Sequence, residues 1–153
     1  MIKIRIYGLP APQGSKRHVG KGIMIESSKR VKPWRQDVKF AALSVYTGGI
    51  LDETLKVKIQ FIFPRPKSHF GTGKNASKLK TNAPRYVTSR GCGDIEKLVR
   101  STLDALSASS GGASVMRDDS QVAVLSASKR YAHAEERSGA VVIIELLDDD
   151  YNL

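Results

Sequence analysis

The sequence predicts an α+β fold in which a mixed β-sheet carries two helices on one face, within a single domain spanning residues 1–153. Alternating apolar residues mark strands near both ends and in the middle of the chain, and apolar residues at helical spacing mark two helices between them. No segment repeats another. A chain of 153 residues is long enough to form one domain with its own core.

The first half of the chain predicts a strand, a basic hairpin, a helix and a second strand. Isoleucine alternates with Lys, Arg and Tyr over residues 2–7, which is the period of a half-buried strand. Residues 11–32 are rich in Lys and Arg and predict a small hairpin or ordered loop. Pro33 suits the first position of a helix that Gly48-Gly49 ends. Residues 54–63 alternate again, with one face apolar.

Residues 64–93 have no apolar periodicity and carry basic residues without a single acidic one. A loop of this length inside a compact domain is usually functional or disordered. It is either a solvated insertion whose charge aids solubility, or a flexible basic loop that closes on nucleic-acid phosphate and becomes ordered there. Aromatic residues are sparse in it, so phosphate contact is a better interpretation than base stacking.

The second half predicts a helix followed by two strands. Apolar residues recur at helical spacing from Ile95 to Leu106, after which residues 107–114 are small and flexible. A strand runs from Val122 to near Tyr131, and the apolar run at 140–147 predicts a central or well-covered strand. The acidic residues 148–150 are a solvated end.

Composition points to a polyanionic partner. Lys and Arg number 25 against 15 Asp and Glu, a formal charge of +10, and neutralising phosphates with such cations releases condensed counterions. Charge alone does not separate DNA from RNA. Cys92 is the only cysteine, which excludes an internal disulfide, and the three histidines lack zinc-ligand spacing. Without a signal-peptide core or an apolar stretch of ~20 residues, the protein is expected to be soluble and cytoplasmic, with no membrane partner.

Carboxylates concentrate around the predicted 95–106 helix. Asp94 suits the N-cap, where its side chain would accept backbone N–H groups, and Glu96 falls in the first turn. Asp119 and its neighbour Asp118 precede the next strand. Mg²⁺ prefers oxygen ligands and bridges carboxylates to phosphate, so Asp94, Glu96 and Asp119, with Asp118 in support, are candidate ligands of a phosphodiesterase site.

Basic residues complete the predicted site. Lys97 and Arg100 would offset charge on the phosphate being cut. The predicted nucleic-acid contacts are Lys16, Arg17, Lys29, Arg30, Arg35 and Lys97, followed by the 64–93 loop. The same features have an ordinary interpretation, because acidic residues complement a helix dipole and Asp-Asp pairs are common in turns. Spacing alone does not decide between the two.

Three motifs together resemble one family. The run DIEKLVRSTLDAL followed by MRDDSQV, the early PAPQGSKRHVG and the later SASKRYA are similar to the RusA family of Holliday junction resolvases, which is common in phages and prophages. The family pattern is Asp-x-Asp-x-x-x-Lys at a helix start, then Asp-Ala-Leu, then Asp-Asp-(Ala/Ser)-Gln-Val. The resemblance implies a homodimer, dependent on Mg²⁺ (Mn²⁺ as an alternative), that cuts four-way DNA junctions by paired nicks.

By the same resemblance, Asp94 and Glu96 take the two acidic positions at the helix start, Arg100 takes the basic position and Asp119 takes the essential acid. Glu96 replaces an aspartate and reaches one methylene further. Arg100 replaces a lysine and stays protonated, which removes proton transfer from its roles but keeps electrostatic stabilisation. The hypothesis is therefore a structure-selective DNA endonuclease, and the alternative is a non-enzymatic basic DNA-binding or architectural protein. An RNA-directed role is weaker, since the sequence lacks the aromatic sheet motif of RNA-recognition modules.

Overall fold

The computed structural model describes residues 1–14, 17–18, 24–25 and 29–148. Its elements are β1 (Ile2–Tyr7), β2 (Arg17–His18), β3 (Met24–Ile25), α1 (Val31–Val45), β4 (Leu55–Phe63), α2 (Ile95–Leu106), β5 (Val122–Tyr131) and β6 (Gly139–Leu146). One four-stranded sheet has the order β1-β6-β4-β5, and β2 and β3 pair separately. Because β4 and β5 are parallel while the other pairs are antiparallel, the sheet is mixed, as predicted.

The first half of strand β4 has one buried face and one exposed face. Leu55, Val57 and Ile59 are buried, whereas Lys56 and Lys58 between them are exposed. The buried face belongs to the same core cluster as the apolar residues of both helices. The helices are also tied to each other, since Trp34 Nε1 on α1 donates to Thr102 Oγ1 on α2 at 3.1 Å. Both helices therefore lie on one face of the sheet, which confirms the predicted α+β class.

The two C-terminal strands occupy different positions in the sheet. β6 lies between β1 and β4, which confirms the central strand predicted from its apolar run. β5 lies at the edge, and residues 123–126 are exposed on both faces. Residues 85–87 pair with its last residues through Val87 N–H to Lys129 O and Tyr131 N–H to Arg85 O. Within the described chain no strand pairs with residues 122–128 on the side away from β4; these residues are called the open β5 edge.

Helix α1 begins two residues earlier than Pro33, at Val31. The amide groups of the first turn have no intrahelical partner, so a proline at the third helical position costs no hydrogen bond. The helix ends at Val45, before Gly48-Gly49. The hairpin predicted within 11–32 is present as the β2–β3 pair.

The 64–93 segment contains local structure that the sequence pattern does not predict. Three 3₁₀ helices cover Lys67–His69, Gly73–Asn75 and Arg90–Cys92. Phe70 forms an isolated bridge with Leu79. In the part of the chain that the structure describes, no helix is long and apolar enough to cross a membrane.

One partly buried ion pair stabilises the end of the sheet. The Arg130 side chain is 8% exposed and meets the Glu136 carboxylate with Nη1 to Oε1 at 2.6 Å and Nη2 to Oε2 at 2.9 Å. Hydrogen bonding from Arg130 lowers the pKa of Glu136 to about 2. Because the pKa of Glu136 is lower in the folded state, the ion pair stabilises the fold when the pH is above the unfolded-state pKa. This stabilisation is lost as the pH falls through the folded-state pKa.

We expect Glu136→Gln to lower the free energy of unfolding by about 2–3 kcal/mol, because it leaves the Arg130 charge buried without a counter-ion. The midpoint of thermal unfolding should fall by about 5–10 °C at neutral pH. The difference in stability between wild type and variant should narrow as the pH is lowered from about 4.5 towards 2, because Glu136 then takes up a proton in the unfolded wild-type chain before it does so in the folded one.

The matched control is Glu145→Gln, which removes an exposed carboxylate 4.0 Å from Lys56 Nζ. Exposed pairs contribute less than about 1 kcal/mol, so its midpoint should change little. Equal midpoints for the two variants would contradict the stabilising role of the Arg130–Glu136 pair.

Candidate active site

The start of α2 holds Asp94, Glu96 and Arg100, all exposed. Asp94 is the N-cap and its carbonyl accepts from Leu98 N–H at 3.1 Å. Its side chain makes no capping hydrogen bond, contrary to the prediction, because the carboxylate pairs instead with Lys97 Nζ at 3.4 Å. The ion pairs of the described residues do not include Glu96 with Arg100. Glu96 and Arg100 are thus exposed and outside the ion pairs of the described residues, whereas the Asp94 carboxylate is paired with Lys97.

The C-terminal end of β5 positions this helix start. Lys129 Nζ donates to the Gly93 carbonyl at 2.8 Å, directly before Asp94. Gly93 has a φ of +90° and packs against the Pro12 ring, where a Cβ would lie 2.6 Å from Pro12 Cγ. The backbone at the start of α2 is thus held by a strand on one side and by the N-terminal segment on the other.

The turn before β5 presents Asp118 and Asp119 at the opposite end of α2. Asp118 caps the short 3₁₀ helix Asp119–Gln121 and accepts from Ser120 N–H at 3.0 Å. Gln121 Oε1 accepts a hydrogen bond from the Asp118 N–H, and Gln121 Nε2 donates to the Leu51 carbonyl. Ser109, just after α2, donates to Asp118 Oδ1. The turn is therefore fixed to the end of α2.

The two neighbouring carboxyl groups have pKa values shifted in opposite directions. Hydrogen bonds from Ser109 and Ser120 lower the pKa of Asp118 to about 2. Burial raises the pKa of Asp119, and repulsion from Asp118 and Asp104 raises it further. Divergent pKa values in adjacent carboxyl groups are typical of functional sites. A cation bound beside Asp119 would relieve this repulsion.

Asp104 is a further carboxylate near Asp119 that was not among the residues predicted from the sequence. It lies on the last turns of α2, where Gln13 Nε2 donates to Oδ2 at 2.7 Å and Ser110 Oγ donates to Oδ1 at 3.4 Å. Gln13 is itself held by its N–H bond to the Lys97 carbonyl. The available signal was the Asp-Ala-Leu motif, which contains Asp104, and Gln13 falls in the early Pro-rich motif.

The structure does not bring the predicted metal ligands together. α2 has 12 residues and is about 18 Å long. Asp94 and Glu96 lie at its start, whereas Asp119 lies beside its end with Asp118 and Asp104. Among the described residues, no group of three or more His, Cys, Asp or Glu side chains is arranged to hold a metal ion. The described residues of the chain therefore do not form a complete ligand set for Mg²⁺.

The predicted nucleic-acid contacts divide between the two ends of α2. Arg30 Nη2 donates to Gly91 O at 3.1 Å near the helix start, where Lys97 also lies. Arg35 Nη2 donates to Ser110 O at 3.0 Å near the helix end, and Lys29 lines a cavity there with Asp104. Lys16 lies outside the described residues, and only the backbone of Arg17 is described, in β2.

Comparison with known families gives a match over most of the chain. Residues 8–145 match the model of the family described as Endodeoxyribonuclease RusA. No curated protein matches the sequence significantly. The matched range includes both ends of α2, the turn at 118–121 and all of β5.

Proposed function

Because this chain belongs to the RusA endodeoxyribonuclease family, we propose that it is a magnesium-dependent, structure-selective DNA endonuclease that resolves four-way (Holliday) junctions by paired phosphodiester hydrolysis. The observation that carries the proposal is the turn that fixes Asp119 beside the end of α2, where burial and repulsion from Asp118 and Asp104 raise the pKa of its carboxyl group in a protein with a net charge of +10. A nearby opposite charge favours the charged form of a carboxyl group, so a bound cation would offset this repulsion.

The proposed metal ligands are Asp94, Glu96 and Asp119, with Asp118 in support. All of them offer oxygen atoms, which Mg²⁺ prefers, and Mn²⁺ would substitute. When bound, the metal supplies Lewis acidity toward the phosphate and lowers the pKa of water. Arg100 presents a guanidinium group at the exposed start of α2 and offsets the charge that develops on the phosphate.

A homodimer would supply the ligands that one protomer keeps apart. We place the interface at the open β5 edge, where Val124 and Leu125 are 43% and 46% exposed. An unpaired strand edge with exposed apolar side chains favours pairing with another strand. Two copies of one edge pair antiparallel about a two-fold axis.

Antiparallel pairing of the two β5 strands would fix which residues of the two chains lie opposite each other. A two-fold axis between Val124 and Leu125 would pair residues 122–127 of the two chains and would set Ser120 opposite the partner's Lys129. Lys129 bonds to Gly93, directly before Asp94. Asp119 of one protomer would thus approach the start of α2 of the other, forming two composite sites for two nicks.

The experiment that tests the function uses a synthetic four-way junction with each strand labelled in turn. We expect the wild type with Mg²⁺ to cut two opposing strands symmetrically, and chelation by EDTA to abolish cutting. A linear duplex of the same sequence is the control and should stay intact. Absence of nicking across a range of metals and salt concentrations would contradict the enzymatic proposal.

The alternative is a non-enzymatic DNA-binding protein, which the Asp94–Lys97 pair favours because it gives Asp94 an ordinary structural role. In that case Asp94→Asn combined with Glu96→Gln would leave junction affinity unchanged, and Mg²⁺ would not raise the thermal unfolding midpoint. Binding without cutting, together with these two results, would favour the alternative.

A further inference from the structure

A basic cavity of about 840 Å³ opens between the first half of α1 and the end of α2. Its cationic residues are Lys29, Lys32, Arg35 and Lys39, and its apolar lining includes Val31 and Ala105, which are 3% and 2% exposed. This cavity, with the exposed face of α1 beside it, is called the α1 pocket. Its volume lies within the range of small-ligand sites, about 300–1,000 Å³.

The four cations of the α1 pocket form no ion pair with the residues that the structure describes, since none of them is within 4.0 Å of a described carboxylate. Lys32, Arg35 and Lys39 are three and four residues apart, so they follow one another along a single face of α1. A row of cations in a concave site favours an extended anion such as a phosphodiester backbone.

An exposed aromatic side chain continues this row. Phe40 is 76% exposed and lies four residues, or about one helical turn, after Gln36, which lines the cavity. Sites for unpaired nucleic acid combine a basic groove with an aromatic side chain on which a base stacks. A duplex offers no free base face to Phe40, whereas an unpaired strand does.

The α1 pocket is continuous with the acidic end of α2. Among the described residues, Asp104 is the one acidic residue that lines it, and its carboxylate accepts hydrogen bonds from Gln13 and Ser110. Asp119 lies close enough to Asp104 for the two charges to interact. A strand bound along α1 would therefore lead toward the carboxylates of the proposed active site.

We propose that the α1 pocket binds an unpaired DNA strand at the branch point, with its phosphates on Lys29, Lys32, Arg35 and Lys39 and one base stacked on Phe40. This proposal rests on the proposed function, which identifies the nucleic acid as DNA. It adds Lys32, Lys39 and Phe40 to the residues that contact the substrate.

The charge contacts are tested by binding of a labelled oligothymidylate of about 12 nucleotides to the full chain across a salt series. Lys32→Gln with Lys39→Gln should reduce the slope of log affinity against log salt by about 1.4, at about 0.7 per lost contact. The matched control, Lys3→Gln with Lys58→Gln, removes the same charge from exposed residues with no ion pair among the described residues and should keep the wild-type slope.

The stacking contact is tested with Phe40→Ala, which should weaken oligothymidylate binding about 5- to 100-fold and duplex binding little. Leu146→Ala, at a residue 54% exposed on β6, is the control and should bind normally. Equal losses for duplex and oligothymidylate, or no loss, would overturn the proposal. Junction cutting by the wild type is scored separately, so inactivity would defeat the proposed function while leaving the binding result interpretable.

Discussion

Asp119→Asn is expected to reduce junction cutting at least a thousandfold, about 4 kcal/mol of transition-state stabilisation, while junction affinity changes less than about threefold. The amide keeps the size of the side chain but removes the charge that the proposed cation needs. Asp119 lies in a turn whose geometry comes from Asp118 and Gln121, so the substitution should leave the fold intact. Single-turnover cutting and junction binding are the two measurements.

The control for this variant is Asp148→Asn, which removes one exposed carboxylate near the end of the described chain. It should cut at the wild-type rate. If Asp119→Asn cut as fast as Asp148→Asn, Asp119 would have no role in the chemistry. Both variants should bind the junction and unfold as the wild type does, so that a difference in cutting rate cannot be attributed to a loss of stability.

The second large effect is expected from mixing two inactive chains. One carries Asp94→Asn with Glu96→Gln, and the other carries Asp119→Asn. In a heterodimer with composite sites, one site has lost every substituted carboxylate and the other has all of them intact. The heterodimer should therefore regain cutting of one strand per junction, at up to about half the wild-type nicking rate, whereas each homodimer stays inactive.

Heterodimers isolated through two different affinity tags provide the measurement. Adding Leu125→Lys to both chains should abolish the regained activity, because it places a charge at the centre of the open β5 edge. Leu146→Lys, at a similarly exposed leucine on β6, should leave the regained activity in place. Failure of purified heterodimers to cut would exclude the proposed sharing of Asp119 between protomers.

Local patterns predicted most elements because those patterns are local properties of the chain. The period of two in residues 54–63 predicts which face of β4 is buried, and the structure buries Leu55, Val57 and Ile59 as expected. The apolar spacing from Ile95 to Leu106 predicts α2 with the bounds that the structure gives it. Helix α1 starts two residues early because a proline is tolerated anywhere in the first turn.

The candidate site was predictable only in part. The acidic start of α2 and the Asp118-Asp119 pair are visible in the sequence, and Asp104 is visible only as part of a motif. Asp104 accepts hydrogen bonds from Gln13, which is 91 positions away along the chain, and from Ser110, which is six positions away. Side-chain partners at such separations depend on how α2 lies against its neighbours, which no local period encodes.

The sequence by itself determined the α+β class, the burial pattern of β4 and α2, the excess positive charge and the residue types available for chemistry. Only the tertiary structure decided that Asp94 and Asp119 lie at opposite ends of α2, that β5 is an open edge and that the α1 cations surround a cavity. The physical reason is that periodicity reports which side of an element is apolar, whereas the direction, order and ends of elements come from non-local pairing and packing.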